Sequence, residues 1–203
     1  MKKNLLLLVV CLVAMFAARG QKITTDNFER LVVEFEVGEL KTESTMLDGQ
    51  VFTRLVIDGM MPSSQVGAPE LPTWSSIIEV PVCAGFEVEV ESEELRMNEE
   101  SNESANSSLF TLHSSLNNEM GRVIPVQPSR SKSDRERHPM VMDSKVYSTD
   151  AFFSAAPLVT VERVGVARDR NLARLQFSPV RYNPVSGEVE VCRKARVTVR
   201  YLK

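Results

Sequence analysis

Along this chain apolar residues recur at every second position far more often than at every third or fourth. In "ERLVVEFEVGEL" Leu31, Val33, Phe35 and Val37 share one face, and in "GFEVEVES" Phe86, Val88 and Val90 alternate with Glu87, Glu89 and Glu91. A period of two with one apolar face predicts half-buried antiparallel strands. Shorter runs at 51–57, 76–82, 158–166, 172–177, 187–191 and 195–201 read the same way, with Gly, Pro, Asn or Asp between most of them. The expectation is an all-β fold, an antiparallel β-sandwich of jelly-roll type. Its core should include Leu31, Val33, Phe35, Phe86, Val88, Val90, Leu175, Phe177, Val189, Val191, Val197 and Val199. Helical spacing with caps is scarce, and 25–31 is the best place for a turn or two.

The alternation fails in the middle. "MNEESNESANSSLFTLHSSLNNEMG" is rich in Ser, Asn and Glu, which predicts a long polar loop near 97–122, with glycosylation sequons headed by Asn102 and Asn106. "PSRSKSDRERHP" follows, and its Arg130, Lys132, Arg135 and Arg137 make the one concentrated basic stretch beyond the first twenty residues. This basic loop, near 128–139, reads either as solvated charge or as a recognition element. Further on, "SPVRYNPVSGEVEV" reads as a corner between strands. Pro179 withholds an N–H and so ends one strand, Asn183 and Pro184 set a turn, and Gly187 frees the backbone before the return.

Residues 1–20 have the form of a secretory signal: Lys2 and Lys3, an apolar run, then small residues before Gln21. Cys11 lacks the small preceding residue of a lipid-attachment site. Neither that run nor any later one reaches the roughly 20 apolar residues of a stable membrane span. The expected domain is therefore 21–203, secreted to the periplasm or cell surface. Loss of Lys2, Lys3 and Arg19 with the leader lowers the formal charge of −3 by three, to −6, which argues against a nucleic-acid partner. Cys83 and Cys192 enter an oxidising compartment and either pair or stay as separate thiols. Alternation places Cys192 with Glu188 and Glu190, away from the apolar face. His113 and His138 are the only histidines, and neither cysteine stands in a nucleophile's setting. No metal-ligand spacing, phosphate-binding loop or cofactor motif is present, so no metal and no cofactor is expected, and a non-catalytic binding domain is.

Three blocks carry a resemblance. They are "GAPELPTWSSIIEVP" from Gly67, containing Pro69, Leu71 and Pro72; "VYSTDAFF", containing Tyr147; and "LQFSPVRYNPVSGEVEVCRKARVTVRY", containing Pro179, Tyr182, Asn183 and Pro184. In this order they resemble the N-terminal propeptide of gingipain-type cysteine peptidases. The resemblance implies a β-sandwich prodomain that assists folding of a peptidase domain and covers its active-site cleft. It also implies a Gram-negative (Bacteroidota) setting, commonly with type IX secretion. A basic residue filling the peptidase's primary pocket falls, by this resemblance, among Arg130, Lys132, Arg135 and Arg137. In such precursors a caspase-like catalytic domain follows, whereas this sequence stops at Lys203. A truncated precursor with its peptidase in cis and a free-standing prodomain acting in trans both remain open. The competing reading is a free-standing secreted β-sandwich that binds cell-surface polymers or proteins as an adhesin-like module.

Overall fold

The structure, a computed structural model, describes residues 20–91, 111–115, 122–131 and 138–202, with 111–115 described by its backbone alone. The leader, the sequons at Asn102 and Asn106, and Lys132, Arg135 and Arg137 lie outside the described residues. The strands are β1 (Gln21–Asp26), β2 (Arg30–Glu36), β3 (Leu40–Leu47), β4 (Gln50–Ile57), β5 (Met61–Pro62), β6 (Pro72–Val80) and β7 (Gly85–Glu91) in the first half. After them come β8 (Thr111–Ser115), the helix α1 (Ser144–Ser148), β9 (Phe153–Ser154), β10 (Val159–Ala167), β11 (Arg170–Phe177), β12 (Val180–Tyr182), β13 (Glu188–Val191) and β14 (Lys194–Leu202). Three four-stranded sheets run in the orders β1-β2-β14-β7, β10-β11-β6-β5 and β8-β13-β12-β9, and β3 pairs with β4 alone. The expected all-β, antiparallel architecture is what the chain forms.

The alternation read from the sequence becomes stripes across the first sheet. Val33 pairs with Val197 and Val197 with Val90, while Leu31 pairs with Val199 and Val199 with Val88. On the opposite face the same register sets Glu34 beside Arg196, and Arg200 bonds Glu89 at 2.9 Å and reaches Glu87 at 3.6 Å. The apolar stripe supplies the burial, and the exposed charge pairs add at most about 1 kcal/mol each. Inside, Phe35 of β2 stacks on Phe177 of β11 with centroids 4.3 Å apart and meets Trp74 of β6 edge-on at 5.2 Å, joining two sheets.

Nine of the twelve predicted core residues are buried; Phe86, Val88 and Val90 are only half-buried. They lie on β7, an edge strand of its sheet with β14 on one side. Residues 25–31 form no helix. Asn27 turns the chain between β1 and β2, its Oδ1 accepting from the amides of Glu29 and Arg30, both at 2.9 Å. The polar stretch 97–122 is not loop throughout, because Thr111–Ser115 adds to the edge of β13 as β8. The strand expected at 76–82 starts earlier and ends at Val80, just before Pro81.

Both cysteines are buried, and no disulfide joins them. Cys192 is fully buried instead of sharing the Glu188 face, because β13 ends at Val191 and the next amide turns to bond the Pro179 carbonyl at 2.9 Å. The two sulfurs have different neighbours. Cys83 Sγ lies 3.7 Å from the Arg163 guanidinium, which also bonds the Cys83 carbonyl, while Cys192 Sγ lies 3.7 Å from the Lys194 carbonyl.

Phe177 has no exposed surface and sits under Phe35 where two sheets meet. Phe177→Ala is expected to lower the free energy of unfolding by about 3–5 kcal/mol. Urea titration followed by β-sheet circular dichroism measures it, and a loss below about 1 kcal/mol would contradict the packing described.

Candidate functional site

The short extended segment 122–127 leads into the basic loop, and almost every group on it is held. Thr53 of β4 donates its amide to the Arg122 carbonyl (2.8 Å) and accepts the Ile124 amide (2.9 Å). On the other side the Glu70 amide bonds the Ile124 carbonyl (2.9 Å), and the Val126 amide bonds the Ala68 carbonyl (2.9 Å). Val123 is completely buried between two tyrosines: Tyr147 donates its hydroxyl to the Val123 carbonyl at 2.7 Å, and the Val123 amide reaches the Tyr182 hydroxyl at 3.5 Å. A buried backbone segment outside a sheet must find such partners or lose about 1–3 kcal/mol per orphaned group.

The far side of the loop returns to the same place. Gly67 donates its amide to the Val126 carbonyl (2.8 Å) and accepts the Asp143 amide at its own carbonyl (2.9 Å). One residue therefore holds both feet. It adopts φ +82°, and a Cβ there would stand 3.2 Å from the Asp143 nitrogen, so glycine meets both the conformation and the close approach. Asp143 then caps α1, its Oδ1 accepting from Lys145 (2.9 Å) and Val146 (3.4 Å), and that single helical turn aims Tyr147 inward. Above Gly67, the Gln127 side chain imitates one rung of a ladder, since Nε2 donates to the Val141 carbonyl at 2.9 Å and Oε1 accepts the Val141 amide at 3.0 Å. Arg130 lies three residues beyond Gln127 and bonds the His138 carbonyl across the loop at 3.4 Å. Gln127, Arg130, His138 and Met140 face Leu47 and Asp48 of the β3–β4 turn across a cavity of about 290 Å³.

The motif residues named from sequence thus converge structurally. Gly67 and Pro69 form the ledge under the loop's feet, with Pro69 bridging to Pro125; Leu71 and Pro72 are buried just behind it. Tyr147 and Tyr182 lie beneath the segment. Asn183 closes the corner, accepting from Val185 and Ser186 and donating to Asp150, with Pro179 and Pro184 buried beside it. Of the four basic candidates, Arg130 stands at the described foot. Sequence reasoning missed Gln127, which carries no local signal. It also missed the Asp143 cap, which an Asp before "SKVY" does signal. Among the described residues no group of three or more His, Cys, Asp or Glu could hold a metal ion, and no helix is long and apolar enough to cross a membrane.

Residues 24–203 match the family model Propeptide_C25. The chain belongs to that family. It is 29% identical over 181 residues to Lys-gingipain of Porphyromonas gingivalis (strain ATCC 33277), covering 88% of this chain and 10% of that protein, and 28% identical to Lys-gingipain HG66 of the same species. This propeptide domain thus spans about a tenth of the length of the curated relatives it matches. Among solved structures it is similar to one described as giving structural insight into the zymogenic latency of gingipain K from Porphyromonas gingivalis. The TM-score is 0.74 and the identity 28%, with 91% of this chain and 93% of that one covered. A complex of Porphyromonas gingivalis RgpB pro- and mature domains shares the fold, with TM-score 0.68 and 20% identity over 89% and 84% of the two chains.

Burial raises the Tyr147 and Tyr182 hydroxyls above their usual range, and burial pushes Tyr201 up to about 12. In the unfolded propeptide these phenols ionise near the ordinary 10.0. Above that pH the unfolded state therefore holds fewer protons, so stability is flat up to about pH 10 and falls as pH rises toward 12. Urea midpoints from pH 7 to 11.5, with tyrosinate absorbance, test this. Tyr147→Phe should cost about 1–2 kcal/mol at pH 7, where the Val123 carbonyl loses its donor, and that gap should shrink as pH climbs.

Proposed function

We propose that this propeptide binds a gingipain-type cysteine peptidase, supplied in cis by a longer precursor or in trans, and inhibits it by laying the basic loop 128–139 in the active-site cleft. The observation that carries this reading is the double anchoring of that loop at Gly67 and Gln127, which presents Arg130 from a rigid base. A loop whose feet are fixed loses less freedom on binding than one with slack ends, and that difference appears as affinity. A peptidase selective for Arg or Lys needs an acidic primary pocket, where a basic side chain gains a charge-assisted hydrogen bond of about 1.5–3 kcal/mol. The domain itself performs no catalysis. It acts outside the cytoplasm after the leader 1–20 is removed, and it assists folding of the peptidase by giving it a preformed surface.

The test is inhibition of a gingipain-like peptidase by the intact propeptide and by Ala variants at Arg130, Lys132, Arg135 and Arg137. Substitution of the pocket residue is expected to raise the inhibition constant about ten- to a hundredfold, and substitution of a solvated one hardly at all. Equal potency across all four variants would reduce the loop to charged surface. No inhibition by the unaltered domain would favour the free-standing binding module.

A further inference from the structure

The loop's position in the fold bears on what happens when it is cut. Dividing the chain between Arg130 and Ser131 leaves β1 to β8 on one side, and α1 with β9 to β14 on the other. Each four-stranded sheet mixes the two halves: β14 lies between β2 and β7, β11 pairs with β6, and β13 pairs with β8. The core joins them as well. Val197 and Val199 have no exposed surface and pair with Val33 and Leu31 on one side and Val90 and Val88 on the other. Phe35 of the first half stacks on Phe177 of the second, Tyr147 and Tyr182 hold Val123, and Gly67 holds Asp143. A break at that one peptide bond severs none of these contacts.

We propose that the propeptide stays assembled and inhibitory after its own loop has been hydrolysed at the Arg130–Ser131 bond, so that cutting the loop is not the step that releases it. This rests on the reading that Arg130 enters the peptidase cleft. In the cut, the peptidase thiolate adds to the Arg130 carbonyl, and the Ser131 nitrogen leaves as an amine that takes up a proton. Water then attacks the thioester, restoring the thiol and leaving a carboxylate on Arg130, with nothing oxidised or reduced. Ordinary products diffuse apart, but here both new ends belong to one interleaved body. Arg130 remains three residues from the Gln127–Val141 pair, which ties the two halves together at the foot of the loop. The cleft therefore stays covered by one body made of two pieces.

A Lys132→Gln, Arg135→Gln, Arg137→Gln variant confines cutting of the loop to Arg130. Limited trypsin digestion gives the species cut there, identified by mass. Its two fragments are expected to elute together at the volume of the uncut chain, to separate in denaturant alone, and to inhibit a gingipain-like peptidase within about tenfold of the uncut variant. Fragments that part in native buffer overturn the proposal outright. Fragments that stay together but lose inhibition by more than about a hundredfold overturn its inhibitory half. If the uncut variant does not inhibit while the unaltered propeptide does, Arg130 is not the pocket residue and the premise of this proposal fails, whereas no inhibition by either sinks the functional reading; co-elution is scored separately from both.

Discussion

Both peptide groups of Gly67 are committed to one loop, the amide to its outgoing foot at Val126 and the carbonyl to its returning foot at Asp143. Much of the surrounding structure follows from that constraint. The segment 122–127 must be buried to reach Gly67, so its backbone needs partners that no neighbouring strand supplies continuously. Thr53, Ala68, Glu70 and the two tyrosine hydroxyls supply them instead. Tyr147 can reach Val123 only because Asp143 caps a single helical turn, and Asp143 is placed by its own bond to Gly67. Such a network is stabilising only when complete, since each buried group left without a partner costs more than a formed bond returns.

How far the sequence foretells this differs by level. The period-two stripes of β2, β7 and β14 were legible because alternation in one strand reports which face is buried. The cross-strand pairs Val33–Val197 and Val199–Val88 then follow from matching apolar faces. The rank of β7 as an edge strand was not legible, since strand order is a property of the whole sheet, and Phe86, Val88 and Val90 are half-buried for that reason. Cys192 was misplaced because extrapolating the alternation past Val191 assumes that the strand continues, whereas the backbone turns to Pro179. At the site, the blocks around Gly67, Tyr147 and Tyr182 stood out as motifs, yet nothing in their spacing says that they meet around Val123. Gln127 was invisible, because a reciprocal side-chain clamp depends on a partner fourteen positions away.

Electrostatics divide the surface by role. The outer face of the first sheet sets acidic residues of β2 and β7 around Arg196 and Arg200 of β14, so its charges are largely satisfied internally. Those pairs fix register more than they add stability, because exposed ion pairs are worth little while like charges placed opposite would be penalised. The basic residues of 130–137 stand in one short run of a chain whose formal charge is −3. A local positive feature on a negative body is suited to orienting a partner with an acidic cleft, and steering of that kind weakens as salt rises.

Chain order gives the last link. The strand nearest the C-terminus, β14, occupies the middle of a sheet whose other members, β1, β2 and β7, lie within the first 91 residues. That sheet cannot close until residues 194–202 are available, and before then Val33 and Leu31 lack the partners that bury them. Such non-local pairing makes folding slow relative to helical domains of similar size. It also makes the finished domain cooperative, because no sheet with four strands belongs to one half of the chain. A loop pinned to Gly67 is then presented only by a completed fold, so its anchored feet become available as a single event.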